Sequence, residues 1–370
     1  MSAVLLAACL TAVGAPGSAQ EGEASGFDRV WGSARLYEGD TDSFVQSFDL
    51  SGRLQLDFAY VDNGDDHHGE FNVRRFRFGF KTRFARKFTL HVEADFNPQE
   101  ADPFYVRLTD TYLAWEPSPA AEVILGKQSA GFTLDGMTSS KRLLTIDRNN
   151  LTNNIWFTEE YIPGASVGGE ATGLVYFAGI FTSDADDPEF GDFKGGEVFY
   201  LATLGRDFAS GSGADKTLVR LNLVYNEPGS DSTVSRQLKG IASLNLSWER
   251  GEWGLRVDLS AADGYGDQSN LVGFVVMPFL ELSEKLQLVG RYTLVDSEDD
   301  NGVRFARYER SIAGSRGDRY NEFYLGLNYY WYGHKLKLQN GAQYVDMRDR
   351  AADGGAYTGW AWTTALRLSW

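Results

Sequence analysis

Cysteine occurs once in the 370 residues, at position 9, which excludes an intramolecular disulfide framework and Cys-rich zinc sites. Downstream of the N-terminus there is no run of 18 apolar residues, so the chain offers no transmembrane helix. That absence leaves closed strands as the way across a bilayer. Proline is scarce, 9 residues against 41 Gly, 24 Phe, 18 Tyr and 9 Trp; such a balance favours many strands and turns over helices. Basic residues are outnumbered, 35 to 51, and the net charge of −16 argues against a nucleic-acid partner. Histidine occurs only four times, as His67, His68, His91 and His334. The first two lie in the acidic stretch NGDDHHGE, read as a solvated loop tip in preference to a metal site. No nucleophile elbow or phosphate-cradling glycine loop stands in strand–turn–helix context, and His91 is the only histidine placed in a strand that could serve a hydrolase. No catalytic residue, metal or cofactor is therefore expected.

Charge is also missing from the first 19 residues. MSAVLLAACLTAVGAPGSAQ is apolar and rich in small residues and reads as a secretory signal peptide over 1–19, with Gly17 and Ala19 at the cleavage site and Gln20 as the mature start. It lacks the basic n-region, and Leu6-Ala7-Ala8-Cys9 has a lipobox-like order that only five residues precede. Residues 20–46 are read as a short N-terminal extension, and 47–370 as the main domain.

What the chain has in abundance is alternation. In LSGRLQLDFAY, Leu54, Leu56, Phe58 and Tyr60 share one face and Arg53, Gln55 and Asp57 the other. In VRRFRFGFKTRF, Phe76, Phe78, Phe80 and Phe84 oppose Arg75, Arg77, Lys81 and Arg83, because side chains alternate with period 2 along a strand. Such segments predict strands near 47–61, 70–84, 87–96, 104–116, 121–129, 161–170, 173–183, 193–207, 215–226, 236–249, 252–263, 270–282, 285–296, 318–332, 335–347 and 356–370. FARK, WERGEW, LSEKL and WYGHK make tight connections; NGDDHHGE, SDADDPEFGD, DSEDDNGVRFARYERSIAGSRGD and RDRAADGGA make long polar ones. A soluble sandwich also alternates, but an even count of long strands, short and long connections in turn, and aromatics crowding the strand ends fit an all-β transmembrane antiparallel barrel of about 16 strands. Its grease would face lipid and its cations a water-filled lumen, with YNEFYLGLNYYWYG and GWAWTTALRLSW as interfacial aromatics.

NVRRFRFGFKTRF, LHVEADF, LTDTYLAW and VILGKQSAGFTLDGMTSSKRLLTIDR resemble the phosphate-selective porins O and P of Gram-negative outer membranes, most strongly over residues 70–150. The resemblance implies a sixteen-stranded barrel in the cell outer membrane, usually trimeric, whose third outer loop, here about 130–160, folds into the lumen while basic side chains guide anions. The partners it implies are small anionic solutes, further copies of the chain, and outer-membrane lipid with lipopolysaccharide. Arg75 and Arg77 match the family's Arg-rich second strand, and Lys141 matches the basic residue of its third-loop motif, with Arg142 and Arg148 close by; Asp110 and Tyr112 match family positions as well. The pore-lining, anion-guiding set is thus Arg53, Arg75, Arg77, Lys81, Arg83, Lys141, Arg142 and Arg148, since guanidinium matches phosphate oxygens in a bidentate fork.

Acids oppose this reading. A hairpin turning at 85–87 sets Arg77 opposite Asp95, Lys81 opposite His91 and Gly79 opposite Glu93, and such cross-strand pairs would partly neutralise the cations. The function expected is passive diffusion of small hydrophilic solutes with an anion bias, phosphate or similar. A general or cation-preferring pore, or a receptor or adhesin barrel with a closed lumen, stands as the alternative.

Overall fold

The computed structural model describes residues 25–183, 190, 198–227 and 234–370. The signal-peptide stretch, Cys9, Gln20 and much of the SDADDPEFGD connection lie outside the described residues. The chain divides into two compact units, 1–33 and 34–370. Within the first, helix α1 (Gly26–Gly32) begins at a capping box: Ser25 Oγ accepts from the Asp28 amide at 3.1 Å, and Asp28 Oδ2 accepts from the Ser25 amide at 3.0 Å, which satisfies donors the first turn leaves over.

The second unit is a closed antiparallel barrel. A short strand β1 (Arg35–Glu38) precedes the sixteen strands of the wall: β2 (Val45–Asp62), β3 (His67–Phe84), β4 (Phe88–Phe96), β5 (Tyr105–Ser118), β6 (Ala121–Ser129), β7 (Tyr161–Ala171), β8 (Leu174–Thr182), β9 (Val198–Asp207), β10 (Lys216–Asn226), β11 (Leu238–Arg250), β12 (Trp253–Gly264), β13 (Leu271–Ser283), β14 (Leu286–Ser297), β15 (Arg319–Tyr332), β16 (Leu336–Arg348) and β17 (Tyr357–Ser369). Each wall strand pairs with its neighbours in sequence, and β17 pairs with β2 from Trp360↔Asp62 to Ser369↔Arg53. Closure leaves no unpaired strand edge for hydrocarbon to meet.

The expected strands are all present, and two local readings change. The outer connection NGDDHHGE shrinks to residues 63–66, because His67 to Glu70 continue β3 and pair with Asp62 to Ala59; the two histidines are strand residues, not a loop tip. Strict alternation in VRRFR also fails at one point. Gln55 pairs with Arg75 but Leu56 pairs with Val73, so Arg74 is an extra residue in a bulge. A bulge lets two successive side chains share a face, and Arg74 joins Arg75 on the carboxylate-bearing side.

Outward positions carry the grease. Phe58, Phe71, Phe78, Leu125, Leu204, Leu259, Phe323 and Leu325 are exposed, while Arg53, Gln55, Asp57, Arg75 and Arg77 are buried. The aromatic-rich ends divide between the two faces. Tyr329, Trp331, Trp360 and Trp362 are exposed on the outside, whereas Tyr320, Tyr324 and Tyr330 are buried within.

The interior is not polar throughout, in contrast to the water-filled lumen expected from the alternation. On β13 the inward residues Leu271, Val275, Met277 and Phe279 are as apolar as the outward ones. Leu271 and Val275 join Val224, Ile241, Val295 and Val345 of other strands in one buried cluster with Leu151, Ile155 and Phe157. Those three residues belong to the segment linking β6 to β7, so this side of the wall is covered by packed protein.

Candidate functional site

The 130–160 segment is the longest described connection, and a loop of that length in a compact domain needs its own internal order. Asp135 supplies it. Its Oδ2 accepts from the Asn149 backbone at 2.8 Å and the Asn149 side chain at 2.7 Å, and its carbonyl accepts from Arg148 Nε at 2.9 Å. Asn149 in turn caps helix α2 (Asn150–Ile155) by accepting from the Thr152 amide at 2.8 Å.

The loop's backbone groups are met by side chains of β2, β12, β14, β15 and β16. The Leu134 amide donates to Asp258 of β12 at 2.7 Å. Ser140 receives Arg53 on its hydroxyl at 2.7 Å and Gln55 on its carbonyl at 3.1 Å. The Leu143 carbonyl receives Lys337 at 2.6 Å, the Leu144 carbonyl Asn328 at 2.8 Å, and the Asp147 carbonyl Arg291 at 2.9 Å. These donors sit on β2, β14, β15 and β16. A buried carbonyl left without a donor costs free energy comparable to a lost hydrogen bond, so the contacts fix the segment's course.

Beside this segment nine arginines, Arg74, Arg75, Arg77, Arg107, Arg148, Arg236, Arg304, Arg307 and Arg310, line a pocket of about 210 Å³ with three carboxylates, Asp95, Asp147 and Glu160. Glu160 is the hub. It lies 3.0 Å from Arg148, 3.8 Å from Arg77 and 3.9 Å from Arg75. Arg77 also approaches Asp95 at 3.3 Å, donates to Tyr161 Oη at 2.6 Å and stands over the Tyr161 ring. Burial alone would raise the carboxyls of Glu160 and Asp147; the surrounding guanidiniums outweigh it, holding Glu160 well below the usual carboxylate range and Asp147 at about 2. Both stay ionised at neutral pH, yet the pocket's nine arginines outnumber its three carboxylates. Burial, followed by repulsion from neighbouring guanidiniums, lowers Arg304 and Arg236 to about 10; each remains charged and surrounded by like charge.

The eight expected cations separate into three groups. Arg53, Arg75, Arg77 and Arg148 are buried and paired, Arg53 with Glu93 at 2.9 Å. Lys81 and Arg83 lie exposed towards the β3–β4 turn, Arg83 bridging to Glu116 at 2.8 Å. Lys141 and Arg142 line a second, larger pocket of about 970 Å³ together with Lys216, Arg220, Arg256 and Lys335. Lys141 donates to the Trp370 main-chain oxygen at 3.2 Å, and burial, helped by Arg53, lowers it to about 8. The β3–β4 register is the expected one, with Arg77↔Asp95, Gly79↔Glu93 and Lys81↔His91.

Sequence reasoning missed Arg74, Arg107, Arg236, Arg304, Arg307 and Arg310. Three of these recur every third residue in RFARYER, a signal that was available, but the acidic DSEDDN just before it marked the whole connection as a rim. It also missed a serine beside His91: Ser51 Oγ lies 3.2 Å from His91 Nε2 and 2.9 Å from Glu93 Oε2. Ser51 donates to Glu93, so the imidazole does not act on it as a base.

No curated protein sequence matches the chain. Among solved structures, the anion-selective porin from Comamonas acidovorans is 13% identical with a TM-score of 0.63, over 88% of this chain and 99% of that one. The outer membrane protein OmpT of Vibrio cholerae in a trimer form is 13% identical at TM-score 0.57, over 87% and 99%. Salmonella typhi OmpF in complex with daunomycin is 11% identical at TM-score 0.61, over 88% and 98%. At these identities the likeness is one of fold. The family profile described as phosphate-selective porin O and P matches residues 48–200, a span that holds the strands from β2, the Arg-rich β3 and the 130–160 segment. The chain thus has the closed-barrel fold of these outer-membrane porins, and its residues 48–200 match the pattern of the phosphate-selective porins O and P.

Proposed function

We propose that the barrel is a passive diffusion pore with an anion bias, in which the 130–160 segment folds into the lumen and narrows it. Inorganic phosphate is the solute that the family resemblance favours, and small acidic metabolites are the alternative. The observation that carries the reading is the excess of nine arginines over three carboxylates in one pocket. A narrow passage with low-dielectric walls focuses such a field on a passing ion, and planar guanidiniums accept oxyanions two oxygens at a time. Lys141 and Arg142, in the larger pocket, continue the positive lining. The net charge of −16 does not oppose this, since outer stretches such as DNGDD and DSEDDN are screened by salt within about 10 Å at 0.1 M.

A trimeric assembly, seated among outer-membrane lipid and lipopolysaccharide, is part of the proposal; a trimer form is described for the OmpT fold relative. Phosphate recognition has its own test. With symmetrical chloride on both sides of a bilayer, millimolar phosphate should reduce the single-channel chloride current, because a bidentate anion dwells longer among guanidiniums than a halide does. A current indifferent to phosphate would contradict that choice of solute.

A further inference from the structure

The third and seventh outer loops are joined by two asparagines. Asn150 and Asn154 stand one turn apart on α2, and their side-chain amides both donate to the Arg304 carbonyl, at 2.9 and 3.1 Å. The Arg304 amide returns a bond to Asn154 Oδ1 at 2.8 Å. Three hydrogen bonds thus hold one residue of the 298–318 connection by its backbone, and all three end on a loop that is itself pinned to the wall.

The packing around this clasp agrees with it. Val303 and Phe305, on either side of Arg304, are buried in one cluster with Leu151 and Ile155 of α2. Two residues past Phe305 comes Arg307, and next to it Tyr308, whose hydroxyl donates to Asp57 on β2 at 2.7 Å. The seventh loop is therefore tied at two points, and the side chains between them have little choice of direction. Arg304 Nη1 and Arg307 Nε are buried with no hydrogen-bond acceptor among the described residues. Arg307 stands 5.8 Å over the Tyr308 ring and helps to lower Asp147, but neither it nor Arg304 forms an ion pair within 4 Å among the described residues, in contrast to Arg75, Arg77 and Arg148, which share Glu160.

We infer that Arg304 and Arg307 of the seventh outer loop are selectivity-determining residues of the pore, and that Asn150 and Asn154 are positioning residues that hold them over the pocket. The inference rests on the anion-biased reading above and adds to it a second loop and a mechanical link. It implies that selectivity can be lost with every charge still present, because an unclasped loop would carry its guanidiniums away from the passage, and a charge more than a Debye length off is screened.

The test is a double-mutant cycle read as zero-current potential across a potassium chloride gradient. Arg304→Ala/Arg307→Ala removes charge, and Asn150→Ala/Asn154→Ala removes the clasp alone. Each should lose much of the wild-type anion preference, and the quadruple variant should lose little more than the arginine pair, since a clasp with no arginines to position has no further effect. If the clasp variant fails to assemble, Asn150→Ala, which keeps two of the three bonds, should give a smaller loss of the same sign. An anion-preferring wild type whose preference survives in the clasp variant, or whose losses simply add in the quadruple variant, overturns the positioning role. Survival in the arginine variant overturns the selectivity role. A wild type without anion preference instead overturns the reading of the pore itself, and this inference with it.

Discussion

Replacing residues 134–148 by a short Gly/Ser linker should raise the single-channel conductance several-fold. The segment is hydrogen-bonded to Asp258 on β12, Arg53 on β2 and Lys337 on β16, so on the proposed reading its removal clears cross-section as well as deleting Lys141, Arg142 and Arg148. It also leaves Arg291, Lys337 and Gln339 without the carbonyls they now serve, but those groups would meet water instead of a dry void, and the barrel should still close through its strand ladder. Conductance equal to wild type in a correctly assembled variant would mean that the segment does not limit the pore, as a receptor or adhesin barrel requires.

Leu325→Arg should hinder barrel assembly. Leu325 sits halfway along β15, is 60% exposed, and lies between outward Phe323 and Leu327, so the new cation would stand near the lipid midplane at a cost of about 2–4 kcal/mol. The position of the charge is the variable. Phe78 faces outward too, but its ring approaches Trp370 at 6.4 Å, close to where β17 ends, and the same change there should cost about 0–1 kcal/mol, as expected near an interface. Folding into lipid vesicles, followed by the heat-dependent shift in gel mobility that folded barrels show, would measure both. Equal yields for wild type and Leu325→Arg would invert the assignment of faces.

That assignment was legible because it depends on period 2 alone. The β3–β4 register followed from one three-residue turn, and the strand count from the recurrence of alternation. What escaped the sequence arises where a third partner intervenes. Register puts Gly79 opposite Glu93, which names no cation for Glu93 to meet. In the barrel a Cβ at position 79 would stand 2.0 Å from the Val92 carbonyl oxygen; with no side chain there, Glu93 reaches across β3 to Arg53 and Ser51 on β2. The apolar buried face of β13 is explained in the same way, by Leu151 and Ile155 of α2 packing against Leu271 and Val275, which periodicity assigned to water. Arg74 was hidden by a bulge, and Arg304 by the acids beside it, since composition averages over a loop whose two ends point to different places.

The central claim is that positive charge governs passage. The most direct measurement is the zero-current potential of the wild-type pore between concentrated and dilute potassium chloride at neutral pH. With Asp147 and Glu160 ionised and the arginines charged, chloride should cross faster than potassium and leave the dilute side negative. A dilute side that becomes positive would contradict the account, and would assign control of the pore to its acidic mouth.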